Sequence, residues 1–263
     1  MTQTHESEPS YKLEAAPSPL WYASPKWLRV FLAGEAVADS KRVHLFRPGG
    51  PPTYYFDQAD VAMDKLTPSG NVDHSASYGD ATMYNVRVGD RISEDAAWCY
   101  AEPTTELAFL RGQIAFAWGK VDAWFEEKEE VFVHARDPFK RIDSMKSSRQ
   151  IKVVVGGETV ADTGETVVLF EPGHPIRYYL PKADVRMDLL RASERRSSCP
   201  YKGDALYYSV ETPAKLARDI AWCYPYPTPE TAKVAGMLCF FAERVDELYV
   251  DGELQPKPKT AWS

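Results

Sequence analysis

The sequence predicts a mainly β protein built from two tandem, homologous, mostly antiparallel domains with short helices. Three observations carry this. Residues 46–125 and 170–249, compared without a gap at an offset of 124, share 31 identities in 80 positions, against roughly 6% expected by chance from average composition. Short alternating apolar runs are joined by Gly-containing two-residue turns, which pair strands antiparallel. No stretch sustains an apolar 3.6-residue period over the length of a long helix.

The elements follow in order. Residues 1–26, proline-containing and poor in aliphatics, read as an extended N-terminal arm whose Trp21-Tyr22 can dock. The first repeat domain spans 27–146: residues 28–33 alternate, Gly34 and Glu35 make the turn, and residues 36–39 return as a hairpin. A polar stretch, residues 144–149, marks the boundary. In the second repeat domain, 147–254, residues 151–155 and 159–161 flank Gly156-Gly157, residues 167–170 precede the Pro172-Gly173 turn, and residues 176–180 supply another strand. Residues 183–190, with Val185, Met187, Leu189 and Leu190, fit a short helix or a strand equally. Residues 205–210 and 236–241, rich in aromatics, read as buried strands. The tail, 255–263, should lack regular structure, with Trp262 available to pack.

Composition excludes several classes of function. With 44% apolar and 26% charged residues over 263 positions the chain can form cores, so wholesale disorder is excluded. Thirty-one Lys and Arg against 38 Asp and Glu give a net charge of -7, which removes the positive field that non-specific nucleic-acid or anionic-membrane binding needs. Neither nucleic acid nor membrane is expected as a partner. The cysteines at 99, 199, 223 and 239 form no C-x-x-C pair, so no disulfide framework, structural zinc or other metal is signalled, and no cofactor is expected. Residues 1–10 lack the basic and apolar regions of a secretory signal, and no run approaches the ~18 apolar residues of a membrane span. A cytoplasmic protein is the expectation.

The string Tyr178-Tyr179-Leu180-Pro181, Asp184-Val185, Cys199-Pro200-Tyr201-Lys202-Gly203, Ala221-Trp222, Val245-Asp246 and Asp251-Gly252-Glu253 resembles a bacterial and fungal family known as domain of unknown function 427, labelled in places as nucleotidyltransferase-like. The resemblance covers nearly the whole chain in its two-copy form. It implies a small twisted fold similar to the β-tent group, which includes methionine-R-sulfoxide reductases and the thalidomide-binding domain of cereblon. Those relatives carry zinc on two C-x-x-C pairs that this sequence lacks, so the zinc does not carry over. Nucleotidyl transfer finds no support in the residues either: there is no Gly-Ser motif with paired metal carboxylates and no phosphate-cradling Gly-rich loop before a helix.

Four constellations are candidates for chemistry. In Cys199-Pro200-Tyr201-Lys202-Gly203 a lysine three residues from a thiol can hold a thiolate, making Cys199 and Lys202 candidate catalytic residues; the alternative is a turn with a buried cysteine and an exposed lysine. The first repeat has Ser75 to Gly79 there, so the thiol and the amine belong to the second copy alone. His134 and Arg136 lie in a cationic connector ending at Asp143, where histidine can act as acid, base or anion contact; the bland reading is a segment whose Arg136-Asp137 and Arg141-Asp143 form ion pairs. Asp60 and Asp64, repeated as Asp184 and Asp188, either pair for a metal or cap a turn. Tyr55, Trp98, Tyr179, Trp222 and neighbouring aromatics either line a pocket in each domain or fill the core; in each Tyr-Tyr pair one ring must face away from the other.

Together these residues lead to an expectation: the two domains meet face to face about a pseudo-two-fold, and a small polar or anionic organic molecule binds near their interface. Arg177, Tyr179, Cys199, Tyr201, Lys202 and Trp222 would then meet His134 and Arg136, with or without catalysis. The alternatives are a non-catalytic structural or interaction module and a thiol-dependent redox enzyme using Cys199. Whether the protein is an enzyme is left open.

Overall fold

The computed structural model describes residues 20–48 and 51–263; residues 1–19 of the expected arm lie outside the described residues. The chain divides between Asp137 and Pro138 into two compact units. The first contains β1 (Leu20–Ala23), β2 (Leu28–Leu32), β3 (Glu35–Ser40), β4 (His44–Arg47), β5 (Thr53–Phe56), β6 (Leu66–Ser75), β7 (Gly79–Val88), β8 (Arg91–Pro103), β9 (Ile114–Phe116), β10 (Ala123–Glu126) and β11 (Glu129–Val131). They form a seven-stranded sheet in the order β1-β4-β5-β9-β8-β7-β6 and a four-stranded sheet in the order β11-β10-β2-β3.

The second unit contains β12 (Asp143–Ser147), β13 (Ile151–Val155), β14 (Glu158–Thr163), β15 (Thr166–Phe170), β16 (Arg177–Leu180), β17 (Leu190–Cys199), β18 (Gly203–Glu211), β19 (Leu216–Cys223), β20 (Leu238–Phe240), β21 (Glu247–Val250) and β22 (Glu253–Leu254). Its sheets repeat the pattern, β12-β15-β16-β20-β19-β18-β17 and β14-β13-β21-β22. The protein is mainly β, in two tandem copies of one antiparallel architecture. Every helical segment among the described residues is a 3₁₀ turn, the longest being Thr105–Leu110 and Pro229–Val234. Residues 183–190 resolve into two such turns, Lys182–Asp184 and Met187–Leu189. No helix among the described residues is long and apolar enough to cross a membrane.

Two expectations about boundaries change. Residues 20–23, read as arm, form β1 and pair with β4; residues 144–147, read as linker, form most of β12 and pair with β15. Both are edge strands with one neighbour each, so neither needs a strongly apolar pattern, and the polar Ser-Met-Lys-Ser sequence of β12 disguises it. The division accordingly lies before β12 rather than within it.

Local chemistry accounts for the hairpins. Ala33 and Gly34 have φ of 49° and 81°, and Gly156 and Gly157 have 61° and 78°, the double positive φ of the turn that matches strand twist. At Gly156 a side chain is excluded as well, since a Cβ would fall 2.2 Å from Thr212 Oγ1.

Each seven-stranded sheet is apolar on both faces. One face meets the small sheet: Leu28, Val30 and Trp124 pack with Tyr54, Phe56, Cys99 and Phe116, and in the second unit Ile151, Val153 and Leu248 pack with Leu180, Cys223 and Phe240. The opposite face carries a separate cluster, Phe46, Tyr55, Tyr100, Leu107 and Ala115 in the first unit, and Leu169, Tyr179, Trp222, Tyr224, Cys239 and Phe241 in the second. The Tyr-Tyr pairs divide as strand alternation requires. Tyr54 faces the small sheet and Tyr55 faces away, and Tyr178 and Tyr179 do the same.

Candidate functional site

The outer aromatic face positions four of the residues singled out from sequence. Adjacent strands β8 and β9, and β9 and β5, set Trp98 beside Tyr55, so that Trp98 Nε1 donates to Tyr55 Oη at 3.3 Å with the rings edge-on at 6.4 Å. Strands β19, β20 and β16 repeat this: Trp222 Nε1 donates to Tyr179 Oη at 3.3 Å, rings 6.3 Å apart. Burial raises the pKa of both phenols, so these hydroxyls stay protonated. The pair is thus a shared structural unit, and the difference between copies lies around it.

In the second unit that surrounding is charged. Arg177 lies two residues before Tyr179 and so on the same face of β16; its guanidinium sits 5.4 Å from the Trp222 ring and 5.6 Å from Phe241. It donates through Nη1 and Nη2 to the two oxygens of Glu243 at 2.7 and 2.8 Å. The Arg177 side chain is 9% exposed and that of Glu243 is 0% exposed. Burial alone would push the Glu243 carboxyl up, but the guanidinium and the Thr260 hydroxyl hold it below its usual range. The first repeat has Thr53 and Gly119 at the aligned positions, so the pair is a feature of the second copy.

A second buried carboxylate stands nearby. Glu171, at the end of β15 and 4% exposed, accepts from the Lys202 ammonium, from Lys140 at 2.6 Å, and lies 3.6 Å from His174. Burial opposes its ionisation, yet Lys202, His174 and Lys140 together keep it below the usual carboxylate range. Burial lowers the pKa of His174, against the opposing pull of the Glu171 carboxylate. Lys140 also lies 4.9 Å from the Tyr201 ring. The two clusters join through Trp262, which stacks on His174 at 5.5 Å and receives Arg177 at 5.7 Å. Three cations thus face two carboxylates, leaving a residual positive charge. The first repeat carries Arg47 where the second has Glu171, and pairs it with Asp137 at 3.4 Å.

The geometry places each residue singled out from the sequence as follows. Lys202 is three residues from Cys199 along the chain, and its backbone N–H donates to the Cys199 carbonyl at 3.2 Å, but its ammonium is held by Glu171, 31 residues away. Gly203 has φ of 95°, and a Cβ there would lie 2.8 Å from the Tyr226 carbonyl, so the close approach is made by the chain's own backbone. Arg177, Tyr179, Tyr201, Lys202, Trp222 and Cys199 belong to the second unit; His134, whose Nδ1 lies 2.7 Å from the Ala135 carbonyl oxygen, and Arg136 belong to the first, with Tyr55 and Trp98. In the connector, Arg141 pairs with Asp143 at 2.9 Å and Asp137 pairs with Arg47. Asp60 accepts from Ser40 and Arg42, and Asp184 from Thr163, while Asp64 is exposed and Asp188 pairs with Arg186. Asp60 and Asp184 therefore pin turns, and no group of His, Cys, Asp or Glu among the described residues is arranged to hold a metal.

Glu171 and Glu243 went unnoticed in the sequence, and Trp262 was read only as able to pack, without its partners. The signal was present: each glutamate lies beside an aromatic or apolar strand and replaces a non-acidic residue of the first repeat, Arg47 or Gly119.

Of the cysteines, 99, 223 and 239 are buried and Cys199 is intermediate; burial pushes the Cys239 thiol up to about 12 and raises Cys99 as well. Iodoacetamide at neutral pH is therefore expected to modify one thiol of the native protein, lost in Cys199→Ser, and all four under denaturation, as intact-mass measurement would read. Native labelling of a second cysteine would show that a buried strand opens.

Two concavities are found elsewhere. An open groove of about 490 Å³ runs along Arg91, Ser93, Glu94 and Lys120 of the first unit and contains none of the sequence-predicted site residues. A crevice of about 10 Å³ lies between the sheets of the second unit, lined by Tyr178, Ala242 and Leu248 among others. The aligned residues of the first copy are Tyr54, Trp118 and Trp124, whose indoles stack at 4.3 Å.

Comparison with family models matches residues 21–127 and 143–251 to the family described as domain of unknown function (DUF427). No curated protein matches the chain. Both matched segments coincide with one copy each of the paired-sheet architecture, and the chain belongs to the domain of unknown function 427 family as a two-copy member.

Proposed function

We propose that the second domain binds a small polar or anionic organic molecule on the outer face of its seven-stranded sheet, against the Tyr179–Trp222 pair. The observation that carries this is the charged set at that face: Arg177, Lys140 and Lys202 against Glu171 and Glu243, placed only in the second copy. Burying ions costs several kcal/mol each unless they are well paired, so a cluster of them beside buried aromatic rings marks a candidate site rather than a means of stability. The excess cation favours a carboxylate, phosphate or sulfonate group, and the rings favour a planar body. No reaction is assigned.

A second reading has its own support. Arg177 and Lys202 each already engage a carboxylate of the same domain, which fits a non-catalytic scaffold in which the charges fix loops to strands. Thermal melting against a panel of organic carboxylates, phosphates and sulfonates separates the two. A ligand present at 100 times its Kd adds ~2.7 kcal/mol, and that shift should shrink in Lys202→Gln. No shift from any member of the panel favours the scaffold.

A further inference from the structure

The C-terminal tail reaches the charged face without being part of a sheet. After Gln255, whose N–H donates to the Leu248 carbonyl, Pro256 and Pro258 carry the chain to a short turn closed on itself. Thr260 N–H donates to Ser263 Oγ at 2.9 Å, Trp262 N–H to Thr260 Oγ1 at 3.1 Å, and Ser263 Oγ to the Pro258 carbonyl at 3.2 Å. Because the turn satisfies its own backbone, two side chains anchor it: Thr260 Oγ1 donates to Glu243 Oε1 at 2.9 Å, and the Trp262 indole packs against both His174 and Arg177.

This contrasts with the first unit, where Trp21 stacks on His44 at 4.5 Å but is held in place by four paired residues of β1. Trp262 remains 39% exposed, unlike Trp124 at 2%, so it contributes little to the core. Its surroundings, by comparison, are well built: an imidazole stacked 5.5 Å from the ring, and 5.7 Å from it a buried guanidinium whose geometry is fixed by Glu243. A segment with few buried contacts opens at low free-energy cost, while its surroundings stay formed.

We infer that the place where Trp262 packs against His174 and Arg177 is a binding site for a planar aromatic ring carried near a hydrogen-bond donor, the ring stacking on the imidazole and the donor reaching Glu243. The chain's own Trp262 and Thr260 occupy it and must be displaced by a competing ligand. Ring and donor can come from a small molecule or from an exposed aromatic peptide segment. The inference shares its face with the function proposed above, but it is tested with the chain's own peptide, so its failure is separate from failure to find a metabolite.

The experiment uses the full chain with Trp262→Ala, 8-anilinonaphthalene-1-sulfonate as the small-molecule probe, and the nonapeptide of residues 255–263 as competitor. Near-UV circular dichroism and a cooperative melt serve to establish that the variant is folded. The variant should enhance probe fluorescence several-fold over wild type, the nonapeptide should suppress that signal, and a peptide with alanine in place of the tryptophan should not. Thr260→Val, which keeps the ring and removes the donor to Glu243, should give an intermediate signal. Equal probe fluorescence in wild type and a folded Trp262→Ala protein overturns the inference, as does a signal that the nonapeptide leaves unchanged.

Discussion

Glu243→Ala is expected to destabilise the second domain by about 3–5 kcal/mol, the cost of breaking a buried ion pair by removing one partner. The guanidinium of Arg177 cannot shed its proton to escape the loss, and its side chain is only 9% exposed. Its surroundings offer Trp222, Phe241 and Trp262 rings rather than another carboxylate. Replacing both partners, Arg177→Met with Glu243→Leu, removes the uncompensated charge together with the desolvation cost, and should leave stability near wild type or above it. The order of urea midpoints is therefore single variant lowest, with the double variant close to the parent. Hydrogen exchange read in peptides from residues 143–251 assigns the change to this domain. A loss below about 1 kcal/mol in the single variant would indicate a pair as weak as an exposed one, and would falsify the buried network as described. If the double variant keeps its fold but no longer binds a ligand that the parent binds, the pair is retained for recognition.

The parts of this arrangement that could be read from the sequence are those that recur at short range or at the repeat offset. Gly156-Gly157 was legible as a hairpin turn, and Gly34 marked the other, although its two positive-φ residues are Ala33 and Gly34, one residue earlier than the Gly34-Glu35 turn expected. Tyr55 with Trp98 and Tyr179 with Trp222 were legible as a repeated feature, and strand alternation separates each tyrosine from its neighbour. The edge strands β1 and β12 were not legible, since an edge strand can be polar and proline-flanked without losing its single partner. Neither were the charged partners. Arg177 and Glu243 are 66 residues apart, and Lys202 and Glu171 are 31 apart, so proximity along the chain paired Lys202 with Cys199 when its ammonium turns to a different strand end. Ion pairs have no period and no turn chemistry to announce them; only a residue-by-residue comparison of the two copies exposes a glutamate standing where its counterpart is an arginine or a glycine.

That comparison also predicts where the first domain is most vulnerable. Trp124 is 2% exposed and stacks on Trp118 at 4.3 Å, with Tyr54, Phe56 and Phe116 at 6.0–6.4 Å. Trp124→Ala should cost about 3–5 kcal/mol, because the rigid sheets on either side cannot close over the space an indole leaves. Trp124→Leu copies the second domain, which has Leu248 and a crevice of only about 10 Å³ at this place, and should cost less than the alanine variant. Trp124→Phe should be the mildest. The Trp124 Nε1 proton has no acceptor among the described residues, so phenylalanine loses ring area while removing a buried donor that is itself unfavourable. Urea midpoints ranked phenylalanine, leucine, alanine from highest to lowest, with exchange protection lost in peptides from residues 20–127, are the expected result. A leucine variant as damaged as the alanine variant would mean that the two copies close the space between their sheets by different backbone geometry, despite sharing strand order and hairpin turns.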